Sequence, residues 1–184
     1  VPHGLYKIFD EAIVNAFDHY KRLDVDNTVR NKVTYIKVWL DDIDNSITIE
    51  NDGEGLDVKI HDTYKNDEGD SVYVPEIVFS VVFSSSNYDN KDADLEKKEE
   101  EEDIEGKLWG GKHGIGIKAT NIFSSEFELE TVDSVRKKKY VQLFQDNMSE
   151  IFEPDITKCR GKSYTKVRFI PDYAKFGIDG LKGD

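Results

Sequence analysis

A run of closely spaced glycines directly ahead of a helix-compatible stretch constrains the fold of this chain more than any other feature. Residues 110–121 read GGKHGIGIKATN. Glycines let the backbone turn sharply and present its amide N–H groups, and the first turn of a helix adds free donors and a partial positive charge. The sequence therefore predicts a loop-to-helix junction that holds a phosphate chain, and hence a nucleoside triphosphate.

Two common glycine patterns overlap this stretch, and neither fits. Gly114 and Gly116 begin a G-x-G-x-x-A dinucleotide pattern, but a charged run precedes them where that pattern needs a buried strand. Gly111 and Gly116 match the outer glycines of a P-loop. However, Ile117 and Lys118 stand where adjacent Lys and Ser/Thr are required. The sequence around the glycines therefore excludes both the dinucleotide-binding pattern and the P-loop.

The charge of the chain is unevenly distributed. The 184 residues carry a net charge of −13. Residues 89–105 contain ten acids and three lysines, which give −7 and leave −13 + 7 = −6 for the remainder. A run of this kind repels itself and is typical of a solvated loop. The overall charge predicts that this chain alone does not hold a nucleic-acid backbone.

Other features of the composition indicate a soluble, intracellular protein. No apolar stretch approaches the roughly 18 residues that span a bilayer, and the N-terminus has no charged-then-apolar signal pattern. Cys159 is the single cysteine, which predicts an inert thiol without a disulfide. The start at Val1 and the end at Asp184 suggest a piece of something longer.

Hydrophobic periodicity predicts an α+β chain. Helical spacing runs through residues 5–20, and a second helix is entered through Pro75. A third helix follows the glycine loop. Alternating or β-branched segments predict strands at residues 34–40, 46–50, 127–132, 139–144 and 165–170. This order implies a two-layer α/β sandwich, with helices on one face of a mostly antiparallel mixed sheet.

The first helix carries candidate catalytic groups. Glu11, Asn15 and Asp18 fall within an arc of about 60° beside the apolar stripe, at about 100° per residue. A carboxylate that takes a proton from water, four residues from an amide oxygen that binds magnesium, is the minimum equipment for metal-assisted phosphoanhydride hydrolysis. An ordinary polar helix flank explains the same residues.

Three further segments have a functional and an ordinary reading. Asn51 precedes Asp-Gly-Glu-Gly, where an amide side chain could pair with an adenine edge, although Asn-Asp-Gly is also a common turn. Residues 84–88 (SSSNY) could cap a helix or contact a ribose and phosphates. Thr165 opens a predicted strand, for which threonine is a natural β-former.

Each of these motifs is weak evidence alone, but their order along the chain is that of one protein family. The chain resembles the ATP-binding (GHKL, or Bergerat-fold) domain shared by gyrase, heat-shock chaperones, histidine kinases and mismatch-repair ATPases, and within it the eukaryotic-type DNA topoisomerases II. The resemblance covers residues 1–176. It is carried by residues 5–11 (LYKIFDE) with Asn15, and by the segments 33–38, 72–77, 85–89, 110–116, 121–124 and 170–176.

The resemblance implies a role for each matching residue. Glu11 resembles the general base, and Asn15 the side chain that completes the Mg2+ shell. Asn51 resembles the residue that hydrogen-bonds the adenine edge. Thr165 resembles the residue whose hydroxyl supports adenine from the opposite wall. The ribose and phosphate contacts would come from residues in the two loops and the helix that follows: Ser85, Ser86, Asn87, Lys112, His113, Gly114, Ile115, Gly116 and Lys118.

The chain also departs from the pattern of that family. His19 stands where Asn is usual, Glu54 where a basic residue is common, and Lys112-His113 where Arg-Asn is typical. The acidic run at residues 89–105 lengthens the lid, which should alter lid dynamics rather than chemistry.

The resemblance further implies a domain organisation. Residues 1–184 would form a single ATP-binding domain that stops before a transducer domain, whose lysine loop reaches the γ-phosphate. Without that cation we expect the fragment to bind ATP and hydrolyse it slowly.

The implied activity is that of an ATP-dependent type II topoisomerase, in which ATP closes a dimeric gate around DNA. ATP and Mg2+ are the implied cofactors. The implied partners are DNA, held through other domains, and a second copy of the protein. The expected location is the nucleus, or the host cytoplasm or virus factory for a viral protein. Two alternatives stay open: a non-catalytic nucleotide-sensing module, and a histidine-kinase-type domain, for which His3 lacks a suitable helical context.

Overall fold

A computed structural model describes residues 1–26, 28, 31–81 and 115–182. Its main sheet has the strand order β1-β2-β9-β5-β6-β7, with β8 also paired to β6. The strands of this sheet are β1 (Ile36–Asp41), β2 (Ser46–Asp52), β5 (Ser124–Asp133), β6 (Lys138–Gln145), β7 (Glu150–Ile151), β8 (Asp155–Lys158) and β9 (Tyr164–Pro171). Every strand pairing within the described residues is antiparallel.

Within the described residues, three α-helices pack on one face of this sheet. They are α1 (His3–Val25), α2 (Val74–Ser80) and α3 (Ile115–Ile122). The predicted first helix is confirmed and extends beyond both predicted ends. Its buried residues recur every three or four positions, as an amphipathic helix requires: Leu5, Ile8, Ala12, Ala16, His19 and Leu23. The predicted α+β two-layer sandwich is confirmed.

The core lies between the helices and alternate residues of the central strands. Phe127 of β5 is fully buried at its centre, with ring centroids of Phe79, Phe144 and Phe169 at 5.9, 6.0 and 6.3 Å. Phe79 comes from α2 and the other two from the neighbouring strands β6 and β9. Residues of opposite parity form the outer face, where Glu130 pairs with Lys139 and Lys166. A sheet with one apolar and one charged face needs helices on one side only.

Four short strands among the described residues were not predicted from the sequence. β3 (Ile60–Lys65) and β4 (Ser71–Tyr73) form a separate hairpin in a segment for which no strand was predicted. β7 and β8 add to the sheet at β6. The sequence of β3, IHDTYK, lacks the apolar alternation that marks a strand, because this hairpin is mostly exposed. Among the described residues no helix is long and apolar enough to cross a membrane.

Candidate active site

The start of α3 meets the first helix at Glu11. A Cβ atom built on Gly116, in the first turn of α3, would overlap the Glu11 carboxylate and lie 2.7 Å from its Cδ atom. Two hydrogen-bonded helices produce this approach, because the Thr120 hydroxyl of α3 donates to the Ile8 carbonyl of α1 at 2.9 Å. Only glycine leaves room for the carboxylate, so Glu11 lies directly against the start of α3.

The two carboxylate oxygens of Glu11 have different surroundings. Lys7, one helical turn earlier, pairs with Oε1 at 2.5 Å. Its bond to Glu11 raises the pKa of Lys7, so the lysine stays charged. The other oxygen, Oε2, is the one nearest to Gly116. The Glu11 side chain is 23% exposed, so water reaches it. Asn15 is half-buried one turn further along the same face of α1.

A second cluster lies on the sheet, in one row across three strands. Asn51 of β2 pairs directly with Thr165 of β9, which pairs directly with Thr131 of β5. Opposed residues in an antiparallel sheet place their side chains on the same face. These three side chains share the helix-covered face with Ile49, Val167 and Leu129. The register thus brings Asn51 and Thr165 together, although they are far apart in the sequence. Thr165 lies beside Asn51 on the same face of the sheet, and not on an opposite wall as the resemblance implied.

The hydrogen bonds of Asn51 fix which way its amide points. Nδ2 donates to the carbonyl of Asp52 at 2.8 Å, and the side chain is only 5% exposed. No hydrogen bond to Oδ1 is found among the described residues. The amide therefore offers the helix side of the sheet an acceptor. An acceptor suits the exocyclic amino group of adenine and repels the corresponding carbonyl of guanine.

Thr131 is a member of this cluster that the sequence analysis missed. Its hydroxyl donates to the Tyr164 carbonyl at 2.9 Å, accepts from the Leu56 amide at 3.1 Å, and lies 3.1 Å from the Thr165 hydroxyl. Because its single proton goes to Tyr164, Thr165 must donate to Thr131, and the Thr165 oxygen keeps a lone pair for a ligand or water. The sequence did contain one indication of its position. Phe127, Leu129 and Thr131 are alternate residues of one strand, so all three side chains lie on the buried face.

Two glycines shape the loop after Asn51. Gly53 has a φ of 101°, which is favourable only for glycine, and a Cβ there would meet Val33 at 2.7 Å. Gly55 lies against β5, where a Cβ would overlap the Val132 carbonyl and come within 2.9 Å of Thr131 Oγ1. The loop is therefore closely packed on the end of the sheet rather than being a solvated turn.

His19 ties this loop to α1. His19 Nε2 lies 2.7 Å from the Glu54 carbonyl, and Arg22 contacts His19 Nδ1 at 2.6 Å. Arginine can only donate, so Nδ1 is the acceptor and Nε2 carries the proton given to Glu54. Burial, together with the nearby Arg22 charge, lowers the pKa of His19 to about 4. The imidazole is neutral at physiological pH, and it connects the helix of Glu11 to the loop of Asn51.

The remaining predicted residues divide into two groups. Ile115 is exposed at the first position of α3, where its amide has no partner within the helix. Lys118 is 2% exposed and lies about 200° around α3 from Gly116, on the side away from Glu11. Its predicted role at the triphosphate stays a prediction. The other predicted contacts lie outside the described residues: Ser85, Ser86, Asn87, Lys112, His113 and Gly114.

Comparison with known proteins identifies this arrangement. The chain is 42% identical over 181 residues to DNA topoisomerase 2 of Acanthamoeba polyphaga mimivirus, covering 98% of the chain. It is also 42% identical over 182 residues to DNA topoisomerase 2 of Arabidopsis thaliana. The crystal structure of the ATPase region of Saccharomyces cerevisiae topoisomerase II matches with a TM-score of 0.70 and 41% identity over 98% of the chain. The chain belongs to the ATPase region of the eukaryotic-type topoisomerases II.

The chain corresponds to only part of each topoisomerase II that it matches. The chain spans 12% of the mimivirus protein, 11% of the Arabidopsis protein and 41% of the yeast ATPase-region chain. The 43K ATPase domain of Thermus thermophilus gyrase B, crystallised with an aminocoumarin, shares the fold at a TM-score of 0.60 and 22% identity. No protein-family model matches the chain.

Proposed function

We propose that this chain binds ATP between the sheet and the helices, and that Glu11 is the general base for its hydrolysis. The single observation that carries the proposal is the contact of the Glu11 carboxylate with Gly116 at the start of α3. Free amides at that helix start suit the terminal phosphates. The row of Asn51, Thr165 and Thr131 supplies a base-binding wall on the sheet.

The proton path follows from the two oxygens of Glu11. Oε1 is held by Lys7, which fixes the orientation of the carboxylate. Oε2 is left to accept a proton from the attacking water, whose oxygen bonds to the terminal phosphorus as the bond to the bridging oxygen breaks and ADP leaves.

Mg2+ fits the donors of this site as a partly hydrated ion. The described residues contain no group of three His, Cys, Asp or Glu side chains that could hold a metal. Mg2+ typically keeps waters and phosphate oxygens and takes one or two protein oxygens, such as the Asn15 amide oxygen. When bound, it would neutralise phosphate charge.

In the parent protein we propose that ATP binding closes a homodimeric gate and that hydrolysis reopens it during DNA strand passage. The name of the relatives, DNA topoisomerase 2, supports this role. The solved relative from Balamuthia mandrillaris, 38% identical with a TM-score of 0.71, contains ATPase and transducer domains. We propose that residues 1–184 are the ATP-binding part of such a unit, with the acidic run 89–105 as a lid insertion. Nuclear location, or a virus factory for a viral protein, belongs to the same proposal.

The test uses the full-length parent protein with Glu11→Gln. We expect ATP turnover to fall by about 10²–10⁴-fold, the usual range for a lost general base, while ATP binding is retained. Asp10→Asn is the matched control, because Asp10 also lies near Lys7, at 3.9 Å, but is not at Gly116. Unchanged turnover in Glu11→Gln would remove Glu11 from the mechanism. ATP binding without turnover in the wild-type parent would favour the nucleotide-sensing module instead.

A further inference from the structure

Two short segments of this acidic chain contain several cations and no acid. Residues 134–139 (SVRKKK) contain four cations and residues 156–163 (ITKCRGKS) contain three, which makes seven in all. With a net charge of −13 for the whole chain, the other residues carry −13 − 7 = −20. Although the whole chain is acidic, residues 134–139 and 156–163 therefore carry a strong local excess of positive charge.

The fold joins these two segments into one surface. Lys138 of β6 pairs directly with Lys158 of β8. The Cys159 amide donates to the Lys137 carbonyl at 2.9 Å, and the Ser163 hydroxyl donates to the Ser134 hydroxyl at 2.7 Å. The β5–β6 turn and the β8–β9 loop therefore lie side by side at the end of the sheet where Thr131 and Thr165 are found.

Two of the seven cations are already neutralised. Arg136 pairs with Asp57 and Asp133, and Lys139 pairs with Glu130. The remaining five have no ion pair with any described residue, and all but the half-buried Lys138 are exposed. We call these five the basic patch: Lys137, Lys138, Lys158, Arg160 and Lys162.

The patch carries a repulsion between two of its own lysines. Like charges directly opposite each other in an antiparallel pair destabilise it, and Lys138 and Lys158 are such a pair. Arg136 holds the turn by bonding Asp133, whose carboxylate also accepts from the Val58 amide. Burial would raise the pKa of Asp133, but these bonds outweigh it and keep that pKa below its ordinary value. Asp133 also lies directly opposite Lys138 in the β5–β6 pairing and offsets part of the repulsion, and an external anion would relieve the rest.

The shape of the patch indicates an extended polyanion. Its cations stand on two strands and two turns instead of converging on a buried cradle, so they suit a row of phosphates better than a single anion. Neither segment contains an aromatic side chain, so the stacking that single strands use is not available. Duplex DNA offers about one charge per 1.7 Å and binds such surfaces through its backbone without reading bases.

We propose that the basic patch binds the phosphate backbone of duplex DNA, independently of sequence. This inference rests on the proposed role in a DNA topoisomerase, and it assigns a DNA contact to the ATPase region itself. It departs from the expectation drawn from the net charge, because phosphate contacts depend on local rather than overall charge.

The test measures binding of a short random-sequence duplex to this chain by fluorescence anisotropy over a range of salt concentrations. With about five phosphate contacts, log K should fall with log salt at a slope of about −4 to −5. Replacing Lys137, Lys138 and Lys158 with Gln should weaken binding at least tenfold at low salt, and should reduce the slope by about 3. The matched control replaces Lys21, Lys65 and Lys182 with Gln, which removes the same charge elsewhere and should leave affinity nearly unchanged.

Each outcome supports or overturns the proposal. Equal loss in both triple variants, or tighter binding of polyglutamate, duplex RNA or single-stranded DNA than of duplex DNA, would overturn it. ATP binding, measured on the same samples, separates the two claims. Intact ATP binding without duplex binding rejects the patch alone, whereas loss of ATP binding in the unaltered chain would count against the proposed function.

Discussion

The two ends of the candidate site are built in different ways. At the end proposed to bind the base, Asn51, Thr165 and Thr131 are fixed by backbone pairing across three strands. At the end proposed to be catalytic, Glu11 reaches Gly116 because two helices pack closely, with one hydrogen bond from Thr120 at the contact. The first end is held by many cooperative bonds, whereas the second depends on the absence of one side chain. We therefore expect ligand choice and turnover to be separable by mutation.

The largest effect is expected from Gly116→Ala at the catalytic end. The added Cβ would overlap the Glu11 carboxylate and displace it. We expect turnover of the full-length protein to fall by about 10²–10⁴-fold, as for a lost base, with the preference for ATP over GTP retained. Gly161→Ala is the control, because a Cβ there meets only Cys159 Sγ, at 3.3 Å. Full activity of Gly116→Ala would show that the close approach is unimportant.

The next effect concerns His19, which links the two ends. The pKa of His19 is lowered from 6.5 to about 4, so between these values the unfolded chain takes up a proton that the folded chain does not. Stability should be complete above about pH 6.5 and decline as pH falls towards 4, by about 2–3 kcal/mol. Arg22, with Asp18 beside it, and the Glu54 carbonyl are the groups that act on this imidazole.

Urea unfolding at several pH values measures this dependence, and His19→Gln should flatten it. An equal decline in the His19→Gln protein would assign the effect to other groups. The nucleotide affinity and the ATP turnover of His19→Gln should also be measured. If His19 links the Glu11 end of the site to the Asn51 end, both quantities should change.

Base choice should respond to Asn51 alone. Asn51→Leu keeps the size of the side chain but removes the acceptor that Oδ1 offers. We expect the ratio of ATP to GTP affinity to fall by about 10–100-fold, corresponding to about 1–3 kcal/mol for one base contact. Asn51→Asp keeps an acceptor and should keep the preference. Competition binding with ATP and GTP measures this ratio. An unchanged ratio in Asn51→Leu would mean that another residue distinguishes adenine from guanine.

The smallest effect is expected at Thr131. Thr131→Val leaves the Leu56 amide and the Tyr164 carbonyl without their shared hydroxyl. We expect a loss of about 1–2 kcal/mol in the free energy of unfolding, measured by urea denaturation. Thr131→Ser retains the oxygen and should lose less. A larger loss in Thr131→Ser than in Thr131→Val would mean that the methyl group, rather than the hydroxyl, stabilises this end.

The sequence was sufficient for the helices and long strands because each has a strong period. The first helix and the β1–β2 hairpin are examples, since apolar spacing and turn residues specify them locally. The pairing of Asn51 with Thr165 was not readable, because the register between distant strands is set by packing of the whole sheet. Thr131 was missed for a related reason: a threonine in a strand is ordinary until its neighbours across the sheet are known.

The contact of Glu11 with Gly116 was more accessible to sequence reasoning. The resemblance gave a catalytic role to Glu11 and a phosphate-binding role to Gly116, and two residues that act on the same phosphate must lie close together. The link through His19 was not predicted, because its partners are a main-chain carbonyl and an arginine acting as a donor. Neither partner leaves a recognisable pattern in the sequence.

The row of three side chains across the sheet also limits how this protein can change length during evolution. Inserting or deleting one residue within β2, β5 or β9 would turn the following side chains to the opposite face, and the candidate site would lose Asn51, Thr131 or Thr165 at once. The hairpin formed by β3 and β4 is a separate sheet, and its register with these strands is not constrained in this way. Length variation among relatives should therefore accumulate there, and be nearly absent from the three central strands.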